Sequence, residues 1–199
     1  MKITSIKQQV KRVGRYSIFV DGEYSFSLSE TALLDSKLSS GTELSREQVD
    51  EYKQLSNDDK LYNKTLRYIA LRPRTKWEIE VYLNKNDASP PLSALILNKL
   101  SNIDLIDDLK YAKAFVNDRR LLRPSSRRKI INDLRKKHVP SQIIEEAAGN
   151  ESEDEQSALA HIIDRKRQQS KYQDDLKLMQ YLARQGFSYG DIKDALKND

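Results

Sequence analysis

Over residues 15–28, RYSIFVDGEYSFSL, apolar and polar side chains alternate on both sides of Asp21-Gly22. A period of two around Asp-Gly predicts a β-hairpin. A two-residue turn sets Val20 opposite Glu23 and mixes the faces. A three-residue Val20-Asp21-Gly22 loop, with glycine left-handed, instead pairs Ile18 with Tyr24 and Tyr16 with Phe26, and this register is the one expected. A lone hairpin is marginal, so KITSI at 2–6 is expected to supply a third strand and the apolar face to pack on something. From Ser29 onward the period becomes helical. SETALLDSK reads as a short capped helix, and SREQVDEYKQL opens with Ser45 and Gln48 spaced as a capping box.

Beyond the lead helix the pattern repeats. ALRPRTKWEIEVYL (70–83) lies over LLRPSSRRKIINDL (121–134), matching Leu71-Arg72-Pro73 with Leu122-Arg123-Pro124, Ile79 with Ile130 and Leu83 with Leu134. LRKKHVPSQIIEEAA (134–148) lies over LARQGFSYGDIKDAL (182–196), pairing Val139 with Phe187 and Ile144 with Ile192. Breaks at Pro73, 84–91, 102–107, Pro124, Val139-Pro140, Gly149-Asn150, Ser170 and Gly186 divide each unit into three helices. Thr75 and Glu78 form another capping box. Units this short cannot hide their apolar stripes alone, so neighbours should stack. The fold expected is mainly α: tandem three-helix repeats in an elongated curved array, with a small N-terminal β-hairpin or three-stranded extension. The divisions expected are 1–44 for that extension and its short helix, 45–106 for a lead helix and repeat 1, 107–150 for repeat 2, and 151–199 for repeat 3.

Composition narrows the chemistry. The 199 residues include 35 Lys and Arg against 30 Asp and Glu, a net charge of +5 that permits an anionic partner without requiring one. Cysteine is absent, which excludes disulfides, thiolate metal sites and cysteine nucleophiles. No apolar run approaches the roughly 20 residues of a membrane span, and the first sixteen residues lack a secretory signal's apolar segment, so a cytoplasmic protein is expected. Phosphate-loop, nucleophile-elbow and HExxH motifs are missing, and His138 and His161 have no second ligand at metal spacing. No enzyme, metal or cofactor is expected. Asp58-Asp59 and Asp107-Asp108 are read as carboxylates at helix starts, serving as caps. Leu66, Ile69, Trp77, Tyr111, Phe115, Ile131, Met179 and Tyr181 are read as core, and Phe187 and Tyr189 likewise.

The basic residues fall into two groups. Arg119 and Arg120 occupy the last turn of a helix and Arg123 follows it, where cations offset exposed carbonyls. Arg127, Arg128 and Lys129 instead occupy a first turn, and Lys76, beside Arg74, holds the equivalent place in repeat 1. Cations there oppose the helix dipole by roughly 0.3–1 kcal/mol each. In repeat 3 the same turn bears Asp174 and Asp175, as the dipole favours. A bound phosphate or carboxylate would reconcile the basic cases, because N–H groups and guanidinium forks would converge on it. Plain solvated charge remains the other reading.

LRYIALRPRTKWEIEVYL, IDLIDDLKYAKAFVNDRRLLRPSSRRKIINDLRKKHVPSQIIEEA and YLARQGFSYGDIKDAL together resemble the RecX family of regulators of the RecA recombinase, over nearly all of residues 60–197. The middle block is the most distinctive, with Ile106-Asp107-Asp108, Tyr111-Ala112, Phe115-Val116 and Arg119 in family order. His138-Val139 departs from the family's glycine before the third helix, which Gly186-Phe187 keeps, and NKNDASPP departs from the usual lysine-glycine ending. The resemblance implies a monomer that lies in the groove of a RecA filament on single-stranded DNA, meets that DNA directly or through the filament, and suppresses ATP hydrolysis, strand exchange and coprotease activity in repair and the SOS response. Arg74, Lys76, Arg119, Arg120, Arg123, Arg127, Arg128 and Lys129 are the residues expected to face RecA or DNA phosphates.

Two other readings stay open. LRKKHVPSQIIEEA has the layout of a helix-turn-helix, although Gln142, Glu145 and Glu146 would present acid to a DNA groove. The array could also serve as an adaptor for some other helical protein.

Overall fold

A computed structural model describes residues 1–149 and 152–197. The chain divides into two compact units, Met1–Arg72 with Glu80–Lys99, and Pro73–Ile79 with Leu100–Asp199.

The first unit opens with the antiparallel sheet β1 (Ile3–Gln8), β2 (Arg15–Val20) and β3 (Glu23–Ser29), in that order. The third strand is present as expected; the hairpin register differs. Val20 pairs with Glu23 and Phe19 with Tyr24 across a two-residue turn, and a bulge then brings Ile18 opposite Phe26 and Tyr16 opposite Leu28. Asp21 and Gly22 both have positive φ, 50° and 90°, so the tight turn that matches strand twist forms. The extra residue of the bulge re-aims the strand and repairs the mixing of faces that the tight turn imposes. Ile3, Ile18, Val20, Phe26 and Leu28 are thereby buried with Leu44 and Val49.

Helix α1 (Glu30–Ser36) is capped by Ser29, and α2 (Arg46–Ala70) begins at the Ser45/Gln48 capping box. The long α2 covers the outer edge of β3, where Ser27 N–H donates to Ser56 Oγ at 3.3 Å and that hydroxyl donates to Ser27 O at 2.6 Å. A covered edge cannot recruit foreign strands. Asp59 lies inside α2, not at a helix start as the sequence suggested. Its carboxylate meets the buried Arg15 guanidinium at 2.9 Å and accepts from Ser29 N–H and Oγ.

Helices α3 (Lys76–Asn84) and α4 (Pro90–Asn102) follow. The first turn of α3 belongs to the second unit together with α5 (Asp108–Leu121), α6 (Arg127–Arg135), α7 (Ser141–Ala148), α8 (Ser152–Arg167), a 3-10 turn at Ser170–Tyr172, α9 (Asp175–Arg184) and α10 (Tyr189–Lys197). Asp107 caps α5 through the Leu109 and Lys110 amides, and those donors hold its carboxyl below the usual carboxylate range. Two three-helix cores result. Ala112, Val116, Ile130, Leu134, Val139 and Ile144 unite α5–α7, and Leu159, Ile163, Leu178, Leu182, Phe187 and Ile192 unite α8–α10. Tyr189, expected in the core, is 66% exposed. The break expected at Gly149-Asn150 is seen at Gly149; Asn150 lies outside the described residues.

Each repeat ends its middle helix in the same way. Asp87, His138 and Gly186 take positive φ, of 59°, 55° and 93°. The next residue's N–H then returns to a leucine carbonyl: Ala88 to Leu83, Val139 to Leu134 and Phe187 to Leu182. This is a Schellman stop, and its apolar pair seals the turn.

Candidate functional site

The basic first turns settle into a repeated junction. Thr75 and Ser126 cap α3 and α6, accepting from Glu78 N–H and Lys129 N–H at 3.2 Å each. The amide of Lys76 donates to Asp108 Oδ1 at 2.8 Å, and the amide of Arg127 donates to Glu155 Oε1 at 3.2 Å. Thus a carboxylate from the next repeat's opening helix occupies the amide at each basic start. The sequence reading placed an external anion there; Asp108 and Glu155 supply that anion internally. Repeat 3 caps α9 with its own Asp174, while Asp175 meets Arg167 at 2.7 Å. The change from basic to acidic first turns follows from borrowed versus resident caps.

The following repeat's turn also docks at each junction. Thr75 Oγ1 donates to Lys137 O at 3.0 Å, Lys137 reaches Glu78 at 3.4 Å, and Trp77 stacks on His138 with centroids 4.0 Å apart. At the second junction Ser126 N–H donates to Gln185 O at 3.2 Å and Lys129 Nζ to Gln185 Oε1 at 2.7 Å. A Cβ at Gly186 would collide with Ser126 Oγ and come within 3.0 Å of Lys129 Cβ. That contact explains why glycine stands at 186, whereas the left-handed His138 is retained beside a ring it can stack on.

Junction duty sorts the eight candidate cations. Arg119 meets Asp133 at 3.3 Å and lies over the Phe115 ring, and Arg120 donates to Ala148 O. Arg127 Nε donates to Gly149 O at 2.8 Å, Lys129 is held by Gln185, and Arg74 is engaged within the protein. Lys76, Arg123 and Arg128 turn their side chains to solvent. Arg128 shares the outer face of α6 with Asn132 and Arg135, along a cleft of about 350 Å³ closed on its far side by Gly186, Ser188 and Asp191. Arg135, a cation in the last turn of α6, is not among the residues expected from the sequence. Its seven-residue spacing from Arg128, two helical turns, is the signal that could have found it.

The face can bind and orient an anionic or mixed-charge surface through forked donors. Among the described residues no group of three or more His, Asp or Glu is placed to hold a metal ion. Among them, too, no helix is long and apolar enough to cross a membrane.

Three-helix units that lend one another caps while exposing a forked basic face make a helical-repeat protein. Family profiles agree on what kind. "Regulatory protein RecX N-terminal domain" matches residues 1–45, "RecX, second three-helix domain" matches 107–147, and "RecX, third three-helix domain" matches 153–196. The Regulatory protein RecX of Lactobacillus delbrueckii subsp. bulgaricus is 30% identical over 99% of this chain and 74% of its own length. That of Lactobacillus johnsonii is 35% identical over 73% of this chain, a match spanning 53% of the relative. A crystal structure of regulatory protein RecX superposes with a TM-score of 0.76 at 29% identity, covering 100% of this chain and 99% of that one. RecX from Lactobacillus salivarius gives 0.60 at 26% identity over 71% of this chain and 96% of that one. The chain belongs to the RecX family of regulatory proteins, a family of regulators rather than of enzymes.

Proposed function

We propose that the protein binds the RecA recombinase filament assembled on single-stranded DNA and restrains its ATP hydrolysis, strand exchange and coprotease activity. Support comes from family membership together with one structural observation, the solvent-directed Arg128 and Arg135 along α6. On this reading 45–106, 107–150 and 151–199 act as successive docking units, and modest contacts by each combine through avidity. Lys76, Arg123, Arg128 and Arg135 meet acidic filament side chains or DNA phosphates. Arg74, Arg119, Arg120, Arg127 and Lys129 support that surface from the junctions. The protein acts as a cytoplasmic monomer without a cofactor. Regulation requires tighter binding to one filament state than another, because a ligand indifferent to state shifts nothing.

The test is DNA-dependent ATP hydrolysis by the cognate recombinase, titrated with this protein. The parent protein lowers the rate. Arg128→Glu with Arg135→Glu raises the inhibitory concentration by about tenfold, the effect of about 1.4 kcal/mol of lost binding, with helicity unchanged by circular dichroism. An unaltered inhibition curve removes this face from the site. Stand-alone duplex recognition through α6 and α7 has less support, because Glu145 and Glu146 are exposed on α7 and would meet phosphates.

A further inference from the structure

Repeats 2 and 3 differ at one groove. In repeat 2 the opening and closing helices, α5 and α7, are bridged by Lys113 Nζ and Glu146 Oε1 at 2.9 Å. Matching Ala112 and Val116 with Leu159 and Ile163, and Ile144 with Ile192, sets Ala160 where Lys113 stands and Asp194 where Glu146 stands. The carboxylate is kept and its cation is gone. Between α8 and α10 there remains a cleft of about 370 Å³, in which Leu159, Ile163 and Ala195 give apolar lining and Asp164, Asp191 and Asp194 give charge. No lysine or arginine lines it among the described residues. Asp191 accepts from the Ser188 hydroxyl, and Asp194 lies 3.8 Å from the exposed Lys197. An exposed pair of that kind contributes little and leaves the carboxylate available.

The β1–β2 loop carries the complementary chemistry. Val10 and Val13, 97% and 91% exposed, flank the exposed Lys11 and Arg12. Gln9 N–H donates to Arg15 O at 2.8 Å, Arg15 N–H to Arg12 O at 3.2 Å and Glu30 N–H to Gly14 O at 2.9 Å, so the loop is already ordered and docking it costs little entropy. We infer that this loop of one copy docks in the α8–α10 cleft of a second copy of the chain, a valine entering the apolar lining while Lys11 and Arg12 supply the cation that Ala160 leaves out. Apolar anchors give such a contact its strength, and complementary charge fixes its partner and register. Four residues in one cleft make a small, transient interface. The dilute chain therefore stays monomeric, and the contact forms where copies are crowded together. The inference goes beyond the recombinase reading, which rests on neither the loop nor this cleft.

The test is sedimentation equilibrium of the full chain alone, from about 1 μM to 1 mM. The mean mass of the parent rises above that of the monomer at the upper end. A loop variant, Val10→Ser, Lys11→Ser, Arg12→Ser and Val13→Ser, and a cleft variant, Asp164→Lys with Asp194→Lys, each weaken self-association roughly tenfold. Ala160→Lys rebuilds the bridge of repeat 2 within the chain and weakens it similarly. Mixed in equal amounts, the loop variant offers an intact cleft and the cleft variant an intact loop, so the mixture associates as the parent does but stops at a dimer. Circular dichroism verifies that all three variants fold. A parent that stays monomeric throughout, any of the three variants associating within twofold of the parent, or a mixture that stays monomeric or grows past a dimer overturns the inference. Arg128→Glu with Arg135→Glu separates the two readings: it relieves recombinase inhibition and leaves self-association in place. Self-association lost in that variant would mean that the α6 face, not the loop, fills the cleft, and would overturn the inference too. Self-association that fails while inhibition persists removes only the contact between copies.

Discussion

At the scale of single residues, the Arg15–Asp59 pair joins the strand layer to α2. Both side chains are almost wholly buried, and the guanidinium also donates to Ser27 Oγ and Ser27 O at 2.9 and 2.8 Å. Buried pairs of this kind gain little over an apolar replacement, yet removing one partner strands the other charge. Arg15→Ala is therefore expected to lower the unfolding free energy by about 3–5 kcal/mol, whereas Arg15→Leu with Asp59→Leu loses less than the single change, as urea melts would show. A double variant no more stable than Arg15→Ala would contradict that account. The sequence hid this pair because 44 positions separate its members and nothing local links them. The same locality misled the reading of Asp58-Asp59 as caps: two acids beside one another resemble a helix start until the helix is seen to run from Arg46 to Ala70. Asp107 obeyed the local rule because its partners, Leu109 and Lys110, are its neighbours in the chain.

At the scale of elements, what was legible is what sequence-local chemistry decides. Capping boxes at Ser45/Gln48 and Thr75/Glu78 form as spaced. Helix stops fall at Pro73, Pro124 and Gly186 because proline lacks a donor and glycine accepts the left-handed turn. The hairpin register was not legible, since a bulge trades one residue's pairing for the correct face and leaves no mark in the alternation. Nor was the reason for Gly186. Its φ of 93° alone would disfavour a side chain, but the collision with Ser126 Oγ comes from a helix sixty positions earlier in the chain. Gly186→Ala should consequently cost about 2–5 kcal/mol, the left-handed penalty of about 1–2 plus displacement of a packed junction at about 1–3. Hydrogen exchange checks the second part: amides near Ser126 should lose protection along with those of the mutated turn. A loss confined to residues 185–188 would show that the junction had yielded without strain.

At the scale of the whole molecule, borrowed caps make each repeat's stability depend on the next, the nearest-neighbour coupling expected of stacked repeats. Arg127 opposes its own helix dipole and is tolerated because Glu155 approaches the same turn; Lys76 and Asp108 stand in the same relation one repeat earlier. Repeat 3 shows the alternative, with an aspartate cap in its own sequence. A double-mutant cycle turns that contrast into a test. In the parent chain Arg127→Asp puts a second carboxylate beside Glu155 and forfeits the bond to Gly149 O, so it should destabilise by about 1–2 kcal/mol. In a Glu155→Ala background the same change supplies the missing anion to the exposed amide, as Asp175 accompanies Asp174, and should be close to neutral. The coupling expected between the two positions is about 1 kcal/mol or more, well above the 0.3–0.5 within which independent sites add. Asp108→Ala serves as the control, because it belongs to the other junction and shares no partner with Arg127; its effect should add to that of Arg127→Asp. Additivity within the Arg127–Glu155 pair would mean that each helix start is stable alone and that the alternation of basic and acidic first turns has another cause.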